Sequence, residues 1–172
     1  MRVISGKYKG KKLEGFNIDG TRPTMDRVKE SLFGMIQNDI RECVFLDLFA
    51  GSGSVGIEAL SNGAKECYFI DNGKEALKVL NKNLEGISGG FVINSDYKKF
   101  LKTTNKKFDI IFLDPPYKAN LINKSINIII ENDLLNENGL IICEYENEHI
   151  DDVYNLIKEK KYGPKTIKIF KK

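Results

Sequence analysis

From residue 43 onward, short apolar runs alternate with segments whose apolar residues recur at helical spacing. The runs predicted as strands are CVFLDLFAG from residue 43, CYFID from 67, GFVINSD from 90, FDIIFLD from 108 and GLIICEY from 139. Because a helix separates successive strands, each pair forms a βαβ unit in which the two strands run parallel. The sequence therefore predicts an α/β fold with helices covering both faces of a mainly parallel sheet.

The predicted helices fill the gaps between these strands. They are SVGIEALSNGA from residue 54, NGKEALKVLNKNL from 72, a short helix through about Leu101, residues 119–132 and residues 150–159. Asn72 and Glu75 have the spacing of a capping box at the start of the second of these helices. The last segment, KKYGPKTIKIF, differs from the rest and predicts an antiparallel hairpin around Gly163-Pro164.

The chain before residue 43 has a different pattern. Residues 2–13 alternate around Gly6 and Gly10 as in a small β-ribbon, and TRPTMDRVKESLFGMI predicts a capped helix that starts near Thr24. We therefore expect residues 1–40 to form a basic ribbon and helix appended to a core of residues 41–172. With 172 residues in all, the two parts are expected to form a single compact domain.

Charge is distributed unevenly, although the net charge is only +3. Residues 1–12 and 158–172 are rich in lysine, whereas residues 131–152 hold eight acidic residues and no Lys or Arg. Basic ends suit a phosphate-rich partner, but they are equally typical of solvated termini that keep a protein soluble. The three cysteines lie in apolar runs and are expected to be buried, reduced thiols. With no signal-peptide pattern and no membrane-length apolar run, a cytoplasmic protein is expected.

The segment AGSGSVG carries a glycine pattern between a strand and a helix. Gly51, Gly53 and Gly56 form G-x-G-x-x-G, and Asp71 ends the next strand twenty residues after Gly51. This arrangement is typical of a dinucleotide site, so an NAD-dependent oxidoreductase is one interpretation. In any nucleoside site of this kind, we expect Asp71 to accept hydrogen bonds from ribose hydroxyls.

Asp47 favours a different ligand. It lies four residues before Gly51, where a pyrophosphate at the helix N-terminus would be repelled by a carboxylate. S-adenosylmethionine has no phosphate and carries a sulfonium and an ammonium group, which an acid attracts by roughly 1 kcal/mol at ~4 Å in water and about 4 at an effective dielectric of about 20. Asp96, which ends the third strand, is expected to accept from the adenine amino group.

The fourth strand ends in Asp114-Pro115-Pro116-Tyr117. Two prolines restrict the backbone, so the Pro115 carbonyl is held rigidly beside the Asp114 carboxylate. Both groups could accept the N–H bonds of an exocyclic amine on a nucleobase and turn its lone pair toward a sulfonium methyl group. Tyr117 would stack on a base that has left its helix. This chemistry needs neither a metal ion nor a covalent nucleophile.

The chain resembles the RsmD family of 16S rRNA guanine-N2 methyltransferases over essentially its whole length. The resemblance rests on DLFAGSGSVGIEALSNGA, FLDPPY, ISGKYKGKKL and TRPTMDRVKESLF. It implies the class I methyltransferase fold with a seven-stranded sheet, S-adenosylmethionine as donor and a guanine of the small ribosomal subunit as acceptor. It also implies action on ribosomal particles. The family often has Glu where Asp71 stands and Arg where Asn62 stands.

The expected site residues fall into three groups. The catalytic group is Asp114, Pro115, Pro116 and Tyr117. The cofactor group is Asp47, Phe49, Gly51, Gly53, Asp71, Asn72 and Asp96. The substrate group comprises Lys7, Lys9 and Lys11 on one face of the ribbon, together with Arg22, Thr24, Arg27 and Tyr117, where the resemblance puts residues 22–24 at the site.

Three alternatives stay open at the level of the sequence. An N6-adenine methyltransferase of RNA or DNA could grip its amino group with the same four residues, 114–117. A non-catalytic RNA-binding assembly factor could retain the cofactor site. The dehydrogenase is disfavoured by Asp47 and leaves the proline pair unexplained. His149 is expected on the surface, and a monomer is expected.

Overall fold

The computed structural model describes residues 1–15, 22–116 and 120–172, and for residues 22–24 it describes the backbone alone. The strands are β1 Val44–Asp47, β2 Glu66–Asp71, β3 Gly90–Asn94, β4 Phe108–Leu113, β5 Leu135–Tyr145, β6 Asn155–Tyr162 and β7 Lys165–Lys171. The helices are α1 Arg22–Met35, α2 Ser54–Ser61, α3 Lys74–Asn83, α4 Tyr97–Thr103 and α5 Leu121–Glu131. None of the helices described has the length and apolar character of a membrane span.

The strands form one seven-stranded sheet in the order β3-β2-β1-β4-β5-β7-β6. The first five run parallel, and β7 pairs antiparallel with both β5 and β6. The predicted class I methyltransferase fold, with its C-terminal antiparallel hairpin, is confirmed. Because parallel strands end at the same edge, the carboxyl ends of β1, β2 and β4 lie side by side.

Alternate residues of each strand face two separate hydrophobic layers, as the pleat requires. Phe45, Phe69 and Phe112 point into one layer, against α1, α2 and α3. Leu46 and Ile111 point into the other, against α4 and α5. Phe45 and Leu46 are completely buried, and burial of side chains of this size stabilises the fold by about 1.5–3 kcal/mol each. The three cysteines are buried and free, as expected.

The helix predicted for residues 150–159 is wrong, because Asn155–Tyr162 forms the edge strand β6. The short turn at Gly163, where φ is 57°, folds the chain back onto β7, whose outer N–H and C=O groups need partners. Val153, Leu156 and Ile157 have the spacing of one buried face of a helix. In the structure, however, Leu156 and Ile157 are 41% and 50% exposed. Pairing along β7 therefore overrode the local apolar pattern.

The capping box predicted at Asn72 and Glu75 is not formed. Helix α3 begins after Gly73, and no side chain caps it. Instead, the Gly73 N–H donates to Asp71 Oδ1 at 2.8 Å. The acid at the end of β2 therefore binds the backbone at the start of α3, at a different N–H from the two that the capping box was expected to satisfy.

The N-terminal ribbon is small, and hydrogen bonds attach it to α2. Arg2 and Lys12 form an antiparallel bridge, while Val3 and Leu13 pack into the first hydrophobic layer. The buried Glu58 carboxylate accepts from the backbone N–H groups of Ile4 and Ser5, both at 2.9 Å. Residues before position 40 therefore pack against residues after it, and the division of the chain into residues 1–40 and residues 41–172 stays a prediction.

Candidate active site

A cleft of about 990 Å³ opens at the carboxyl edge of the parallel strands. Its volume is at the upper end of the range of about 300–1,000 Å³ that is typical of small-molecule sites. The four acids predicted from the strand ends all line it: Asp47, Asp71, Asp96 and Asp114. Residues of α1 and of the β6–β7 hairpin form the opposite wall.

The glycine loop allows α2 to begin close against the sheet. Gly53 has a φ of 78°, and a Cβ on it would lie 2.3 Å from Leu80 Cδ1. A Cβ on Gly56 would lie 2.3 Å from the Phe69 ring. Both positions therefore require glycine, and the loop backbone from Gly51 to Ser52 is left to line the cleft.

Asp47 is a buried acid at the end of β1, with 2% of its surface exposed. Its Oδ2 accepts from the Gly56 N–H at 3.1 Å. Burial raises the pKa of this carboxyl to about 7, against the lowering effect of that hydrogen bond. A cationic ligand in the cleft would favour the ionised form of Asp47.

Asp71 holds the glycine loop in place. Its Oδ2 accepts from the Gly51 N–H at 2.9 Å, and its Oδ1 accepts from the Gly73 N–H. Each carboxylate oxygen can accept a second hydrogen bond, so the cleft side of Asp71 is still able to bind hydroxyl groups. The twenty-residue spacing indicated that Asp71 lies near the loop, but it did not indicate this bond.

The end of β3 supplies a partly apolar wall. Asp96 caps α4, its Oδ1 accepting from Lys98 N at 2.9 Å and Lys99 N at 3.1 Å. The Tyr97 ring lies 5.3 Å from the Phe49 ring, centroid to centroid. Both rings and Asn72 line the cleft. The sequence analysis missed Tyr97, although its position directly after Asp96 could have indicated it.

Asp114 follows the last residue of β4 and faces the same cleft. Its pKa is raised to about 8, first by burial and then by the Glu144 carboxylate, with smaller contributions from Asp47 and Glu146; Lys165 opposes the rise. Pro115 is buried and Pro116 is exposed. Tyr117 lies outside the described residues, so its expected stacking role stays a prediction.

Glu144 and Lys165 are cleft residues that the sequence analysis missed. Glu144 lies on β5 with 8% of its surface exposed, and its Oε1 forms an ion pair with Lys165 Nζ at the start of β7. Asp114 and Glu144 are thirty residues apart in the chain, and no local pattern connects them. Tyr162, also in the cleft wall, is hydrogen-bonded to Ser31 of α1.

The predicted substrate residues are less closely grouped. Lys7 and Lys9 are exposed, but they lie in the turn of the ribbon rather than on a strand, so the single strand face expected for the lysines is wrong. Lys11 Nζ donates to the Glu85 carbonyl at 2.5 Å. None of these three lysines lines the cleft. Arg27 is exposed on α1, and the side chains of Arg22 and Thr24 lie outside the description.

Comparison with known proteins places the chain in a family. A family model described as Conserved hypothetical protein 95 matches residues 1–171. A Haemophilus influenzae protein named Ribosomal RNA small subunit methyltransferase D is 40% identical over 172 residues, which cover 95% of this chain and 89% of that protein. The chain belongs to the RsmD family.

Solved structures agree with this RsmD-family assignment. A putative methyltransferase from Escherichia coli has 31% identity and a TM-score of 0.89, with 100% of this chain and 97% of that chain covered. The Thermus thermophilus 16S rRNA N2 G1207 methyltransferase, solved with AdoMet and guanosine, has a TM-score of 0.72 at 19% identity, covering 91% of this chain and 45% of that chain. At that identity the second likeness shows the fold alone.

The cleft of this RsmD-family chain fits an adenosyl ligand without phosphates. The wall from β1 to β3 combines two aromatic rings, three strand-end carboxylates and a loop whose glycines leave no side chain in the way. Asp47 beside the loop suits a cationic amino-acid group better than a pyrophosphate. The part of the cleft between β4 and α1, lined by described side chains, leaves room for a second ligand.

Proposed function

We propose that the chain transfers a methyl group from S-adenosylmethionine to the N2 amino group of a guanine in 16S rRNA. The observation that carries this proposal is the continuity of one cleft from the acids of β1 and β2 to Asp114 and Pro115 at the end of β4. Donor and acceptor would meet between them. The name of the Haemophilus protein supports rRNA of the small ribosomal subunit as the target, and guanine N2 is the acceptor that the resemblance of the sequence to the RsmD family implies.

The donor half of the cleft consists of residues suited to an adenosylmethionine. Asp71 would accept from the ribose hydroxyls, Asp96 would accept from the adenine amino group, and Phe49 and Tyr97 would flank the adenine ring. Asp47 would attract the ammonium group, with Gly51, Gly53 and Asn72 shaping the pocket. When bound, S-adenosylmethionine supplies an electrophilic methyl group, and its sulfur keeps the electron pair of the broken S–C bond.

The acceptor half positions the guanine amine and takes its proton. The lone pair of a guanine amine is delocalised into the ring, which makes the nitrogen a poor nucleophile. The Asp114 carboxylate and the Pro115 carbonyl would each accept one N–H bond and so direct the lone pair toward the methyl group. As the N–C bond forms, Asp114 takes the proton that the nitrogen loses, and the product is the neutral N2-methylated guanine.

The rRNA itself would be held by further residues. Lys7, Lys9, Lys11, Arg22 and Arg27 are proposed to contact phosphates, Thr24 to lie beside the target nucleotide, and Tyr117 to stack on its base. The proposed partner is the small ribosomal subunit or an assembly intermediate of it, bound by a monomer of this chain.

The test is methylation of small subunits purified from a strain that lacks this protein. Labelled S-adenosylmethionine is supplied, and the modified nucleoside is identified after digestion of the RNA. N2-methylguanosine in the 16S rRNA is expected. N6-methyladenosine would show the adenine alternative to be correct, and no incorporation at all would favour the non-catalytic assembly factor. Naked 16S rRNA, assayed in parallel, tests the preference for particles.

A further inference from the structure

Four neighbouring strands each place one ionisable side chain on the same face of the sheet, at its carboxyl edge. Asp47 pairs in register with Phe112 on β4, two residues before Asp114. Leu113 pairs with Cys143 on β5, so the next residues, Asp114 and Glu144, are neighbours. Glu144 pairs with Ile167 on β7, two residues after Lys165. Because side chains alternate along a strand, these four residues share a face.

Glu144 and Lys165 therefore extend the acceptor half of the cleft beyond Asp114. Both line the cleft, and the Glu144 side chain is only 9% exposed and the Lys165 side chain 20% exposed. Burying a carboxylate and an ammonium group costs desolvation energy that an ion pair only partly offsets. A pair that is buried in the wall of a ligand cleft, beside the proposed catalytic acid, has a further use in binding a polar ligand.

We infer that the Glu144–Lys165 pair recognises the ring of the target guanine, with Lys165 Nζ donating to O6 and the Glu144 carboxylate accepting from N1–H. The inference rests on the proposed function, because it starts from an N2 amine held by Asp114 and Pro115. N1–H and O6 follow N2 directly along the Watson–Crick edge of guanine. The order of a donor and then an acceptor on the base matches an acceptor and then a donor on the protein.

The same pair disfavours adenine. With the N6 amine of adenine held by Asp114, the next atom along the edge is N1, which carries a lone pair and no hydrogen. The Glu144 carboxylate would face that lone pair, and the Lys165 ammonium group would find no acceptor beyond it. A buried group left without its partner is the strongest basis for rejecting a wrong ligand.

The test compares guanine with 2-aminopurine, which keeps the 2-amino group but lacks both N1–H and O6. Small subunits are reconstituted with either base at the nucleotide found to be methylated, and kcat/KM is measured with the full-length protein. Wild-type protein is expected to methylate the guanine particles about 10- to 100-fold better. In E144M and K165M this ratio should fall by about three- to tenfold, because each variant loses one of the two contacts that only guanine makes.

K172M is the control for loss of an ion pair, since Lys172 directly follows β7. Lys172 pairs with Asp133 at 2.7 Å, at the opposite edge of the sheet, and its variant should keep the wild-type ratio. Calorimetric binding of S-adenosylmethionine shows whether E144M and K165M retain the donor half of the cleft, which is expected.

The outcomes separate the inference from the function on which it rests. An unchanged ratio in E144M and K165M, whether or not activity on both bases falls equally, would overturn the inference while leaving guanine methylation in place. Failure of the wild-type protein to form N2-methylguanosine would overturn both.

Discussion

At the scale of single residues, the electrostatics of the acceptor half centre on Asp114. Burial and the nearby carboxylates of Glu144, Asp47 and Glu146 raise its pKa to about 8, and the Lys165 ammonium group limits that rise. Near neutral pH, Asp114 is therefore mostly neutral before a cationic donor enters the cleft. A bound sulfonium would favour its ionised form, so donor binding would also prepare the proton acceptor.

Replacement of Asp114 with alanine is expected to abolish methyl transfer while leaving donor binding within a few-fold of wild type. Loss of one directed acceptor should cost about 3–4 kcal/mol at the transition state, by analogy with the removal of an oxyanion-hole donor. Single-turnover rates and calorimetry measure the two effects. D114N separates the two proposed roles of Asp114, since its amide oxygen still accepts one N–H bond but does not take the proton. Turnover above a tenth of wild type in D114A would remove Asp114 from the mechanism.

The raised pKa of Asp114 predicts that activity increases with pH. In the proposed mechanism the ionised carboxylate is the proton acceptor, so kcat should fall about tenfold per pH unit below an apparent pKa that donor binding shifts down from about 8. In D114N this dependence should disappear, apart from any contribution of Asp47. The measurement is kcat between pH 5.5 and pH 9.5 at saturating donor and particle concentrations. If kcat falls at low pH in the same way in wild type and D114N, the titrating group is another residue.

Stability should change with pH in the opposite direction. A carboxyl group whose folded pKa exceeds its unfolded value binds protons more tightly in the native state. The contribution of Asp114 to stability is therefore complete below its unfolded pKa near ~3.9 and is lost as the pH rises through about 8. Asp47, with a pKa of about 7, acts in the same direction.

At the scale of elements, one buried ion pair joins the N-terminal ribbon to two helices. Lys29 of α1 lies 3.2 Å from Glu58 of α2, and the two side chains are 5% and 1% exposed. Lys29 Nζ also donates to the Arg2 carbonyl at 2.9 Å and to Ser54 Oγ at 3.0 Å. Because Glu58 binds the backbone of Ile4 and Ser5, the pair determines where the ribbon sits on the core.

Replacement of Lys29 with methionine is expected to destabilise the protein by about 3–5 kcal/mol, since it leaves the buried Glu58 carboxylate without its cation. Urea unfolding at neutral pH measures the loss. The matched control is K107M, because Lys107 pairs with Asp133 on the surface, where an ion pair contributes about 0–1 kcal/mol. Similar effects of the two substitutions would show that the buried pair has no special role in stability.

At the scale of the whole molecule, the cleft and the basic surface occupy different parts of the fold. The cleft lies at the carboxyl edge of the sheet, whereas Lys7 and Lys9 lie in the turn of the ribbon and do not line the cleft. The proposed partner, a small ribosomal subunit, is large enough to span both. Affinity for the particle and the chemistry of methyl transfer are therefore expected to respond to different substitutions.

Replacement of Lys7 and Lys9 with alanine is expected to weaken particle binding and to leave donor binding unchanged. Each phosphate contact adds about 0.7–0.9 to the slope of log K against log salt, so the double variant should flatten that slope by roughly 1.4–1.8. Binding of purified small subunits over a range of salt concentrations measures it. K98A, an exposed lysine at the start of α4, is the control; an equal change there, or none in the double variant, would contradict a specific role for the ribbon.

The parts of this protein that the sequence determined by itself are those encoded by neighbouring residues. Each short apolar run ends where an acid follows it, so Asp47, Asp71 and Asp114 could be assigned to strand ends, and parallel strands bring such ends to one edge. The glycine spacing likewise indicated a close approach of backbone between β1 and α2. These inferences need only the period of a strand and the length of a crossover helix.

Only the tertiary structure decided which distant residues became neighbours. Glu144 and Lys165 lie beside Asp114 because of strand order and register, which depend on the packing of the whole sheet rather than on any local pattern. For the same reason, residues 155–162 form an edge strand, because they pair with backbone groups of β7 that would otherwise have no partner. The raised pKa values of Asp47 and Asp114 also arise from burial and from charges brought together by folding, which a linear sequence does not contain.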